Sequence, residues 1–203
     1  MGKLNIRTLA LVAMVAAGIT GANAQQADIP EAIKNDLANA SPDIRWPTGF
    51  EPGASPIFAH NEIVLRSSCE VVWQRLVAVE DWPNWYRHAS DTHIVGAKQL
   101  GAGGTFTWRV FGRLFTAKLD VFEPNRRLYW YGKGAESDAR TYHTWLLAKA
   151  PTGCKVVTEE VSIGASSVVF RARNPDGLHR AHDEWLDQLR AVTEGSQSKA
   201  VQR

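Results

Sequence analysis

The chain has 203 residues, of which 23 are basic and 21 acidic, and it contains two cysteines. Charge this near balance excludes the basic footprint of a nucleic-acid binder, and no Lys/Arg run is longer than Arg126-Arg127. Two cysteines cannot build a metal site of paired CxxC motifs, while the length suits one domain with a substantial core.

The first segment reads as a leader. Lys3 and Arg7 precede the apolar run Leu9–Ile19, and Gly21-Ala22-Asn23-Ala24 supplies a small-x-small cleavage pattern. Residues 1–24 are therefore expected to be a signal peptide cleaved after Ala24, with an uncleaved N-terminal anchor as the alternative. A membrane span needs about 20 apolar residues, and this run is shorter. No cysteine follows the run, so a lipid anchor is unsupported. Without Lys3 and Arg7 the basic residues equal the 21 acidic ones. The expected location is periplasmic or secreted, with no membrane span after cleavage.

Residues 25–55 read as an N-terminal extension. "IPEAIKNDLANA" (29–40) fits a short helix, and "SPDIRWPTGFEPGASP" (41–56), with four prolines and two glycines, reads as an extended strap. Trp46 and Phe50 are expected to dock it on the domain surface. The domain itself is expected over 56–195. "IFAHNEIVLR" (57–66) is rich in strand formers. In "SSCEVVWQRLVAVEDW", Ser67 or Ser68 can cap a helix, Glu70 suits its first turn, and Val72, Leu76 and Val79 share a face. Pro83 is expected to end this helix, and a second short helical turn to carry Trp85 and Tyr86.

Strand patterns follow at 91–98, 105–112, 113–124, 126–134, 140–150 and 154–164, joined by short turns. Short loops between successive strands imply an antiparallel meander. "NPDGLHRAHDEWLDQLRAVTEG" (174–195) repeats Leu178, His182, Trp185, Leu189 and Val192 at steps of three and four, the pattern of an amphipathic helix. Gly195 is expected to stop it, leaving 196–203 as a disordered tail. A twisted sheet of this breadth curls, whereas one helix is about 10 Å wide. Large side chains must fill the remaining concavity, or a cavity is left.

"IRWPTGFEP", "FAHNEIVLRSSCEVVWQRLV", "DWPNWY", "WLLAKAPTGCKVVTEEVSIG" and "HRAHDEWLDQL" stand in an order and spacing that resemble the START-like (SRPBCC) superfamily, in its polyketide cyclase/dehydrase and lipid-transport type. The resemblance covers about residues 44–194. It implies an α+β helix-grip fold: a seven-stranded curved antiparallel sheet around a long C-terminal helix, with two short helices after the first strand. It also implies an internal apolar cavity between sheet and helix. On that map Trp82 and Trp85 pack against the helix and the sheet end, and Tyr86 lies at the cavity rim. Phe106, Trp108, Phe115, Leu119, Trp130, His143, His182 and Trp185 are the remaining candidate ligand-binding residues. The same fold pairs the first and last strands, bringing Cys69 near Cys154. A disulfide is expected there, nominally worth roughly 4 kcal/mol.

The candidate acid–base residues are His182, Glu159 and Tyr86. His182 lies on the apolar face of the last helix, where it could donate to a ligand or transfer protons near neutral pH, or be a core histidine bonded to a backbone carbonyl or to a side chain. In "VVTEEVSIG", period two groups Glu159 with Val157, Val161 and Ile163, and Glu160 with Thr158 and Ser162. The apolar company points Glu159 inward, with His143 or Arg109 as a partner; a bulge or an ion pair is the alternative. Arg109, opposite in face to Phe106, Trp108 and Val110, is expected at the surface. His143 has apolar residues on both faces of its strand, and period two cannot orient it. His60 and His93 show no partner. "HRAH" (179–182) could place two histidines near one metal, but no third ligand is evident, so neither metal nor cofactor is expected. No GxSxG, HExxH or GxGxxG motif occurs.

Two functions follow as expectations. One is an exported carrier of a hydrophobic small molecule (a lipid, isoprenoid or aromatic, polyketide-like compound), a monomer or weak dimer. The other is a cyclase/dehydrase-like enzyme that moves protons with His182, Glu159 or Tyr86. An interaction module with a ring-filled interior is a third. At least two of these acid–base groups projecting into one cavity within about 3–4 Å of a common ligand atom would favour the enzyme, and only one would favour binding.

Overall fold

Residues 31–200 are described by a computed structural model, with side chains described for 34–195; the expected signal peptide, 1–24, lies outside them. Helix α1 (Glu31–Asn39) leads through an irregular strap into β1 (Ile57–Leu65). Ser68 then caps α2 (Cys69–Val77), its side chain accepting from the Val71 N–H as expected of a serine before a helical run. Pro83 does not end α2. That helix stops at Val77, and Pro83 sits within a separate 3-10 helix, Val79–Asn84, with Trp85 and Tyr86 just beyond it.

Strands β2 (Ala89–Val95), β3 (Thr105–Val110), β4 (Arg113–Glu123), β5 (Arg127–Gly134), β6 (Arg140–Ala150) and β7 (Gly153–Ile163) follow. They form one seven-stranded antiparallel sheet in the order β1-β7-β6-β5-β4-β3-β2. β1 returns beside β7, with Leu65 opposite Cys154. This register brings Cys69, at the start of α2, to Cys154 with Cα atoms 5.0 Å apart, and the two are disulfide-bonded. The β3–β4 turn has Phe111 and Gly112 at φ 50° and 76°, the doubly left-handed backbone of a tight two-residue hairpin.

Two departures occur at the C-terminal side. A helix, α3 (Ala165–Arg173), intervenes between β7 and the long helix α4 (Gly177–Ala200). Gly164 before α3 offers no side-chain cap; Asp138, from the β5–β6 loop, accepts the Ala165 and Ser166 N–H groups at 2.7 and 2.9 Å instead. The Ser166 side chain first, and then those N–H groups, hold the Asp138 carboxyl down at about 2. Gly195 does not stop α4, which continues to Ala200. A terminating glycine adopts a left-handed φ, and Gly195 does not.

Both faces of the sheet are covered, each for a different reason. α4 and α2 cover the inner face, where Leu65, Trp73, Leu76, Trp82, Phe106, Trp130, Trp145, Val156 and Leu189 make the main core. The strap covers the outer face. Ile44 and Phe50 pack with Phe58, Tyr129, Tyr142, Leu146, Val157 and Val161 in a second core. Trp46 meets Phe58 and Tyr142 edge-on, each at 5.7 Å between centroids. Polar clamps add to this. Glu159 accepts from the Ser41 N–H at 2.6 Å and from His60 Nδ1 at 2.7 Å, and Asp36 of α1 accepts from His179 Nδ1 at 2.9 Å. Among the described residues no helix is long and apolar enough to cross a membrane.

Candidate functional site

Side-chain size divides the inner face into a filled end and a hollow end. At the filled end Trp82 is fully buried and meets Phe106, Trp108 and Trp185 edge-on at 5.2–5.5 Å, with Trp130 at 6.1 Å. Toward the start of β6 and of α4 the inward residues shrink to Gly132, Ala139, Thr141, Ser162, Ser167 and Ala181. A cavity of about 430 Å³ remains there, bounded by α3, α4 and the inner sheet face. That lies within the usual range for small-molecule pockets, about 300–1,000 Å³. Gly132 makes room for Thr141, its cross-strand partner, because a Cβ there would collide with Thr141 Oγ1. At its edge Phe111, on the β3–β4 turn, is 53% exposed and its ring lies 4.2 Å from that of His88.

Most of the expected ligand-binding residues border this cavity: Tyr86, Trp108, Phe115, Trp130, His143, His182 and Trp185. Phe106 and Leu119 do not. Both are buried in the main core instead, Phe106 against the rings of Trp108 and Trp130. Trp82 packs the sheet end as expected, and its indole N–H donates to the Leu76 carbonyl. Tyr86 is stacked on Trp185 with centroids 4.4 Å apart and planes 2° from parallel. Burial first, then the charges of Glu160 and Glu184, push its phenol up, so it stays protonated and able to donate.

Glu159 is not in the cavity; its neighbour Glu160 is. Glu159 is fully buried on the outer face, under the strap. The apolar company of Glu159 indicated burial correctly but the wrong side, because the strap makes the outer face apolar too. Neither His143 nor Arg109 is its partner. Arg109 is at the surface, paired with Asp91 at 3.2 Å.

Glu160 stands at the centre of a polar group that the sequence did not reveal. His143 pairs with it directly across β6 and β7. His143 Nδ1 lies 2.6 Å from Glu160 Oε2, and its Nε2 lies 3.0 Å from Thr158 Oγ1. His182 reaches in from α4, its Nε2 3.4 Å from the same carboxylate oxygen. Both histidines are 2% exposed. Burial pushes the His143 imidazole down, against the opposing pull of Glu160. A neutral His143 therefore donates from Nδ1 to the carboxylate and accepts from the Thr158 hydroxyl at Nε2. Burial acts to raise Glu160, but the hydrogen bonds from His143 and His182, helped by the positive charge an imidazole carries when protonated, outweigh it and bring its carboxyl to about 2. His143 lies face to face with Trp130 at 4.5 Å. His182 Nδ1 is buried without a hydrogen-bond partner among the described residues.

This group makes the fold acid-sensitive. Glu160 in the folded chain sits below its unfolded value of 4.5, and His143 below 6.5. In both cases the unfolded chain binds more protons as pH falls, so stability is present above the unfolded value and lost below it. Urea unfolding of the wild type is expected to lose stability from about pH 6.5 downward. The carboxylate contributes its part of that loss below about pH 4.5. A Glu160→Gln variant is expected to show a flatter profile below pH 4.5; an unchanged slope would refute this role.

No protein-family model matches the chain, and no curated protein does. Solved structures do. A hypothetical protein of Helicobacter pylori is similar at 27% identity and TM-score 0.67, over 74% of this chain and 95% of that one. A Thermus thermophilus protein is similar at 15% identity and TM-score 0.57, over 69% and 99%. A protein of the dynemicin biosynthetic locus is similar at 15% identity and TM-score 0.51, over 68% of this chain and 47% of that one. These likenesses support an antiparallel-sheet fold of the helix-grip type.

Proposed function

We propose that the chain is a START-like protein that binds a hydrophobic small molecule in the cavity between the sheet and α4. One observation carries this: a ring-lined hollow of about 430 Å³ holds a buried His143–Glu160–His182 group at its wall, with His182 Nδ1 lacking a hydrogen-bond partner among the described residues. Buried polar groups are ordinarily hydrogen-bonded. A guest with an apolar, ring-bearing or isoprenoid body and one oxygen function fits both requirements. Its body would lie against Trp108, Phe115, Trp130 and Trp185, and its oxygen would meet the histidines. Each 100 Å² of apolar guest surface buried contributes about 2.5 kcal/mol before association costs.

Export before binding is part of the proposal, supported by the Met1–Ala24 pattern and in keeping with the Cys69–Cys154 bridge. Native mass spectrometry of the chain expressed with its leader tests both parts. The expected species begins at Gln25 and carries an extractable apolar guest, or takes one up from a panel of apolar compounds. A chain that remains empty against the whole panel would sink the binding proposal; a retained leader would sink the export.

A second reading, a cyclase/dehydrase-like enzyme, is favoured by His143, Glu160, His182 and Tyr86 sharing one cavity. An imidazole hydrogen-bonded to the Glu160 carboxylate can accept and return a proton, and the Tyr86 hydroxyl can hydrogen-bond the guest. Guest recovered with altered mass or structure favours turnover, and guest recovered intact favours carriage.

A further inference from the structure

We propose that His143, Glu160 and His182 form a site for one divalent transition-metal ion, open on the side of the cavity. Their ligand-type atoms all lie within 4.8 Å of one another. Two imidazoles and one carboxylate are the donor set that suits zinc and its first-row neighbours, and three protein ligands leave a position free for water or a guest oxygen. An ion with bonds of 2.0–2.2 Å in tetrahedral geometry spaces its ligand atoms about 3.3 Å apart. The His182 Nε2 to Glu160 Oε2 separation is already 3.4 Å. The 2.6 Å contact from His143 Nδ1 to Glu160 is a hydrogen bond, which opens as the ion replaces the shared proton.

The supports are built in. His143 and Glu160 are held as direct partners in the β6–β7 ladder, so one edge of the site is fixed by backbone hydrogen bonds. Thr158 Oγ1 stands beside His143 Nε2. It can donate to that nitrogen when Nδ1 carries the proton and accept from it when Nδ1 carries the ion, so the change of tautomer leaves no group unpaired. Trp130 stacked on His143 restricts the ring further. The spacing "HRAH" has no part in this site: His179 turns to Asp36 and Asp183, while only His182 turns inward.

Chelator-treated, guest-free full chain is titrated with ZnCl2 by calorimetry and with CoCl2 by visible absorption, which keeps the outcome separate from guest binding. The expected result is one equivalent bound, with a Co2+ d–d band of four- or five-coordinate intensity. His182→Ala and Glu160→Gln should each weaken Zn2+ binding at least 100-fold, whereas His93→Ala and His179→Ala should leave it unchanged. Circular dichroism checks each variant's folding. If a cavity variant does not fold, pulsed EPR of the wild-type Cu2+ adduct decides, two coordinated imidazoles being expected. No saturable uptake by folded protein, uptake undiminished in the cavity variants, or an adduct without imidazole nitrogen would each overturn the site.

Discussion

Replacing both Cys69 and Cys154 by alanine is expected to cost about 4 kcal/mol of unfolding free energy, equivalent to a fall in Tm of roughly 8–16 °C for a domain of this size. The bridge spans a sequence separation of 85 and joins α2, on the inner face, to the start of β7. Cross-linking so long an interval removes many conformations from the unfolded chain while leaving the folded one unchanged. Both cysteines are buried in the main core, so the alanines also leave small voids there. Thermal unfolding of the oxidised wild type, the reduced wild type and the double variant is the check. Reduced protein and double variant should both melt well below the oxidised form. Three superimposable transitions would show that the bridge contributes nothing.

Trp185→Ala is expected to destabilise by about 3–5 kcal/mol, as removal of a buried indole does. Among the described residues no other side chain of α4 meets so many rings. Trp185 stacks on Tyr86 and stands edge-on to Trp82 and Trp145, with centroids 4.4, 5.2 and 5.0 Å away, and Trp108 and His143 lie at 5.5 and 5.4 Å. Its indole N–H is buried without a hydrogen-bond partner among the described residues. Trp185→Phe therefore keeps a ring and removes an unsatisfied donor, and its cost should stay below about 2 kcal/mol. Urea unfolding of the pair separates packing from polarity. A loss below about 1 kcal/mol for the alanine variant would contradict the role given to this ring.

What could be read from the residues depended on how locally the determining contacts act. Alternation and short turns defined the meander, and the apolar repeat at Leu178, His182, Trp185 and Leu189 defined α4, because both patterns lie within one element. α3 was missed because its cap, Asp138, lies in the β5–β6 loop rather than beside the helix. The two glutamates exchanged roles because β7 is covered on both sides, so an apolar neighbour reveals burial without revealing direction. His143 was undecidable for the same reason, with Trp145 and Leu147 on one face and Tyr142 and Leu146 on the other. The bridge held the missing information. A Cys154 that reaches α2 must point inward, and period two then turns Val156, Thr158 and Glu160 inward with it. Parity from the disulfide would have placed Glu160 beside the last helix. The small residues that open the cavity, Gly132, Ala139 and Ala181, gave no such sign, since their meaning depends on which rings face them across the interior.

The central claim is that this hollow admits a guest. Titration with the neutral fluorophore N-phenyl-1-naphthylamine tests it on the wild type and on Ala181→Trp, whose added ring projects from α4 into the cavity. The wild type should bind one equivalent saturably, with a blue-shifted emission. The variant should bind at least 10-fold more weakly while unfolding at no lower a urea concentration. Equal binding by both proteins would put the guest elsewhere, and no binding by the wild type would contradict the claim outright.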